Sequence, residues 1–186
     1  MQYYQIELDG NPYEVIYSID DVSRILFEKF MWHRLEKIYV GVGGGHFYTY
    51  DHNCIDLSYM GGNTIMVFDN SCLDLMFHAD GMLSYRVIAK PKKIEVHRRT
   101  IDNNCYVDVS QYFTDSFENQ ILIKTSVFGT DEWSFNMMGF STKKARFYAD
   151  SNKLPSKICF KLENGNVFYL QGDSIEYYYI GIDSGL

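Results

Sequence analysis

The chain has 186 residues, 46% of them hydrophobic and 17% aromatic, and a formal net charge of −7. That is apolar material for a full core without disulfides or a structural metal, and the length fits a single domain over 1–186. An acidic chain is repelled by phosphate backbones and anionic membranes, so the charge speaks against a nucleic-acid or membrane surface and for a basic partner.

The first nine residues, Met1 to Asp9, carry neither a basic segment nor an apolar stretch, so no secretory leader is read there. No apolar run approaches the roughly 20 residues that span a bilayer. Cys54, Cys72, Cys105 and Cys159 are scattered, with no C-x-x-C pair; they read as reduced thiols and place the chain in the cytoplasm.

Tyr3–Leu8 and Tyr13–Tyr17 flank Asp9-Gly-Asn-Pro12 and read as a hairpin. Ser18 or Asp20 then caps a helix. Val22, Ile25, Leu26 and Phe30, extended by Leu35, recur at three-to-four-residue spacing, while Arg24, Glu28, Lys29 and Arg34 take much of the other side. From Ile38 onward apolar and polar residues alternate in short runs, the mark of half-buried strands. Strand cores are predicted at Ile38–Val42, Phe47–Tyr50, Ile55–Met60, Thr64–Phe68, Leu73–His78, Leu83–Ala89 and Ile94–Arg99. They continue at Tyr106–Ser110, Ile121–Phe128, Trp133–Met138, Arg146–Ala149, Lys157–Leu162, Val167–Leu170 and Ile175–Ile182. Ala79-Asp-Gly-Met82 and Glu163-Asn-Gly-Asn166 are the clearest turns, because Asp-Gly and Asn-Gly tolerate positive φ.

The glycine tract Gly41-Val-Gly-Gly-Gly-His46 fails as a phosphate cradle. No Lys-Ser/Thr follows, the final glycine position of a dinucleotide fingerprint is His46, and strand formers come next. His46, Asp51, His52 and Cys54 could line a small-ligand or hydrolase pocket under that tract, but their spacing assigns no metal. Asp56, Asp74 and Asp108 fall on the polar phase of strands and are expected to face solvent. Arg86, Lys90, Lys92, Lys93, His97, Arg98 and Arg99 surround Pro91 in a second expected hairpin, where lysines and a proline protect a sheet edge. Asp131-Glu132-Trp133 pairs an aromatic anchor with carboxylates, and Tyr177-Tyr178-Tyr179 puts aromatics on both faces of the last strand.

The expected fold is α+β and β-dominated: a large curved antiparallel sheet or a two-layer β-sandwich, with one amphipathic helix near the N-terminus. The leading functional expectation is a non-catalytic protein-binding module, an inhibitor or immunity-type protein that neutralises a basic partner such as a bacterial toxin. Asp131, Glu132, Trp133, Tyr177, Tyr178 and Tyr179 are its candidate contacts, and no cofactor is required. The alternatives are a ligand pocket at His46, Asp51, His52 and Cys54, or a structural or assembly subunit.

Overall fold

In the computed structural model, residues 2–8, 12–16, 19–42, 48–51, 54–56, 63–77, 83–97, 105–110, 119–130, 136–137, 140–141, 147–148, 155–173 and 177–183 are described. Two short strands, β1 (Tyr3–Glu7) and β2 (Glu14–Ile16), precede the helix α1 (Ile19–Phe30). Then come β3 (Arg34–Val42), β4 (Tyr48–Asp51), β5 (Cys54–Asp56), β6 (Thr64–Phe68), β7 (Cys72–Phe77), β8 (Leu83–Ile88), β9 (Lys93–His97) and β10 (Cys105–Asp108). The chain continues with β11 (Gln120–Thr130), β12 (Asn136–Met137), β13 (Phe140–Ser141), β14 (Phe147–Tyr148), β15 (Pro155–Leu162), β16 (Val167–Asp173) and β17 (Tyr177–Asp183). The fold is β-dominated α+β, as its alternation implies.

One antiparallel sheet runs β2-β8-β7-β6-β3-β11-β15-β16-β17-β5-β4, and a branch β10-β1-β9 leaves β3 beside β11. The branch cannot lie flat. From β8 to β9 the ladder takes six strand steps, roughly 29 Å at 4.8 Å each, whereas the chain from Ile88 to Lys93 reaches at most about 18 Å. The sheet therefore curls until β1 and β9 approach β8. Packing agrees: Ile6 of β1 shares a buried cluster with Tyr39, Ile65, Val67, Cys72 and Ile88, drawn from β3, β6, β7 and β8.

Curling gives the sheet two buried faces. On the outer face Val22, Leu26 and Phe30 of α1, spaced four apart, pack with residues such as Met66, Phe68, Leu73, Leu75, Leu122, Phe160 and Leu170. Phe30 and Phe68 meet at 4.7 Å between ring centroids, and Phe160 stacks on Phe168 at 4.6 Å. The inner face is the smaller cluster around Ile6. All five residues of β6 are buried, Met66 and Phe68 on one side and Ile65 and Val67 on the other.

Several expectations are corrected here. β1 and β2 do not form a hairpin: β1 pairs with β9 and β10, and β2 with β8. β9 pairs with β1 rather than with β8 across Pro91. The helix stops at Phe30, and Leu35 belongs to β3, where a bulge between Leu35 and Lys37 lets Leu35 and Ile38 share the outer core. Asp74 and Asp108 are buried, at 0% and 8% exposure, because the curl covers the face that alternation assigned to water. The Glu163–Asn166 turn does join β15 to β16, with Gly165 at φ 89°.

Candidate functional site

Asp131, Glu132, Trp133, His46 and His52 lie outside the described residues. The backbone places the remaining candidates on neighbouring strands. Asp51 stands opposite Cys54 across the bulged end of the β4–β5 ladder. Cys54 is in turn opposite Gly181 of β17, and Asp56 opposite Tyr179. Tyr177 and Tyr178 begin the same strand, pairing with Asp173 and Gly172 of β16. Two groups more than 120 residues apart in sequence thus meet at one end of the strand order.

Inside the curl, Asp74 organises a buried polar network. Its Oδ2 accepts hydrogen bonds from Arg86 Nε at 2.7 Å and the Tyr13 hydroxyl at 2.6 Å, and its Oδ1 accepts one from Asn63 Nδ2 at 2.5 Å. Register explains the pairing with Arg86, since the two residues are direct cross-strand partners. The guanidinium also lies 4.4 Å from the centre of the Tyr13 ring. Burial, reinforced by the Asp74 bond, holds the Tyr13 hydroxyl above the usual tyrosine range. Burial also raises Tyr106, against the opposing hydrogen bond to Asn63. Burial alone would lower Arg86, but the bond to Asp74 and its charge raise it instead. Both carboxylate oxygens are engaged, so the network ties β7 and β8 to the residues just before β2 and β6.

Three thiols are shielded from solvent: Cys72, Cys105 and Cys159 are buried, and burial pushes the Cys72 thiol up to about 12. Among the described residues no group of three His, Cys, Asp or Glu side chains could hold a metal ion.

A different kind of site forms where α1 ends. Trp32 is 69% exposed and sits at φ 67°, in the left-handed region that a bulky side chain rarely occupies. Its backbone is held from the side: Trp32 N–H donates to the Leu122 carbonyl at 2.8 Å, and Leu122 N–H donates to the His33 carbonyl at 3.0 Å. His33 N–H bonds the Phe30 carbonyl at 3.2 Å and closes the helix, so Trp32 occupies the place at which a helix commonly ends in glycine. Phe27, on the last turns of α1, is 66% exposed.

Polar side chains meet at the residue that follows Trp32. His33 Nδ1 lies 2.8 Å from Asp69 Oδ1, and Asn70 Nδ2 lies 3.1 Å from His33 Nε2. Burial nudges the Asp69 carboxyl upward, but the His33 bond and backbone hydrogen bonds outweigh it and keep the group below its ordinary range. With both imidazole nitrogens engaged, His33 ties the β6–β7 turn to the start of β3. Asn119 takes φ 62° at the start of β11, and Glu163 at the β15–β16 turn accepts the Ile121 N–H at 3.2 Å. Sequence reading missed Trp32. The available signal was its phase: it falls off the Val22-Leu26-Phe30 stripe, where an aromatic residue has no core to enter. No protein-family model, curated protein or solved structure matches this chain.

Proposed function

We propose that the protein is a non-catalytic binding module that covers part of a net-basic partner protein, in the manner of an inhibitor or immunity-type protein. The carrying observation is Trp32, a large aromatic residue 69% exposed in a backbone conformation that favours glycine. A fold that tolerates such strain at its surface has a use for the side chain there, and exposed aromatic residues in a polar frame are the common anchors of protein interfaces. Phe27 is a second exposed aromatic residue on the helix that Trp32 follows, and His33, Asp69 and Asn70 offer polar atoms from the residue after Trp32 onward. The net charge of −7 draws a basic partner and raises its association rate. The Asp131-Glu132-Trp133 segment and Tyr177–Tyr179 belong to the same proposal as further contacts.

The test is affinity capture from native lysate with the wild type, Trp32→Ala and an Asp131/Glu132 charge reversal. A stoichiometric basic protein that co-elutes with the wild type and is lost with Trp32→Ala supports the reading. Capture unchanged by Trp32→Ala removes the Trp32 surface from it, and a wild type that retains no partner overturns the reading altogether.

A further inference from the structure

A second surface lies on the curled branch of the sheet. β9 pairs with β1 on one side, and among the described residues no strand pairs with its other side. An edge strand presents outward N–H and C=O groups that an extended chain can pair with. Ile94 and Val96 are 39% and 47% exposed, and they stand opposite Ile6 and Tyr4 of β1, whose side chains pack in the inner core. The apolar strip of that core therefore runs on to β9, the outermost described strand of the branch.

Charge selects what would cover it. Residues 90–99 hold Lys90, Lys92, Lys93, Arg98 and Arg99 against a single acidic residue, Glu95, in a chain whose net charge is −7. Lys90 already bridges Glu36 at 2.6 Å and Lys93 bridges Glu95 at 2.9 Å, so the lysines restrain the edge while leaving the segment positive overall. We propose that the free edge of β9 accepts an extended acidic peptide segment as an added antiparallel strand. Its acidic side chains would lie opposite Lys93 and His97, a neutral one opposite Glu95, and apolar ones opposite Ile94 and Val96. This surface is independent of Trp32.

The probe is a fluorescent peptide containing Glu-Val-Thr-Ile-Glu, compared by anisotropy with a Lys-Val-Thr-Ile-Lys version and a Glu-Ser-Thr-Ser-Glu version. The proposal requires binding of the first at least tenfold tighter than either control. It also requires a loss of at least tenfold with Lys93→Glu, a weaker loss with Val96→Thr, and no change with Trp32→Ala. Amide exchange across residues 93–97 slows when the peptide is bound. Equal affinity for the serine version marks a generic polyanion patch and overturns strand addition, as does absence of binding to a protein whose circular dichroism is native.

Discussion

The strain at Trp32 has a measurable sign. Trp32→Ala and Trp32→Gly both remove the same indole, so their difference isolates the backbone. At φ 67° an alanine bears a left-handed penalty of about 1–2 kcal/mol that glycine escapes. Against this, the greater freedom of glycine in the unfolded chain costs about 0.4–1 kcal/mol. Trp32→Gly should thus be more stable than Trp32→Ala by about 1 kcal/mol, or roughly 2–4 °C in Tm for a chain of this size. Glu28, exposed within α1, supplies the internal control. There the order reverses, and Glu28→Gly should be the less stable by about 1 kcal/mol. Urea titrations followed by far-ultraviolet circular dichroism measure all four variants. If Trp32→Ala equals or exceeds Trp32→Gly, the left-handed cap is absent and the argument for a functional aromatic residue at this position falls with it.

Removing one partner of the inner network should cost far more than surface changes do. Asp74→Asn removes the carboxylate charge beside the Arg86 guanidinium, and Arg86→Met removes the counter-charge of a buried carboxylate that keeps its bonds from Tyr13 and Asn63, so each should lose about 3–5 kcal/mol in urea unfolding; losses below about 1 kcal/mol would show the network to be solvated. Alkaline pH should destabilise the fold. Tyr39 and Tyr85 ionise near 12 in the folded chain, both pushed up first by burial, against a reference of 10.0. A raised tyrosine contributes stability that is complete below pH 10 and lost as pH rises through 12, about 2–3 kcal/mol for the buried Tyr39. Absorbance at 295 nm should accordingly show a late group of tyrosines titrating together with unfolding; complete ionisation by pH 11 in a still-folded protein would contradict their burial. Finally, Cys72, Cys105 and Cys159 should resist Ellman's reagent until denaturant is added, as read by mass mapping of the modified sites.

Much of the architecture is written in local pattern. The Val22-Leu26-Phe30 stripe places one helix, the Thr64–Phe68 segment with its apolar Ile65–Phe68 marks a strand, and Glu163-Asn-Gly-Asn166 supplies its own turn. These features depend on neighbours a few residues away, where periodicity and backbone preference act directly. Period-two alternation says which residues share a face; it is silent on which strand comes next and on whether the second face is covered. Local pattern makes Tyr3–Leu8 half of a hairpin, yet the strand there, Tyr3–Glu7, pairs with β9 and β10, about 90–100 residues away. Asp74 looked solvated, yet the curl makes it the buried centre of a network. The candidate sites divide in the same way. Nothing near Cys54 in the chain announces that it will lie beside β17, and nothing local forces Trp32 into left-handed backbone. That conformation is imposed from β11, through the bonds between Leu122 and the Trp32-His33 backbone, and long-range hydrogen bonds of this kind exist only once distant strands have closed their loops.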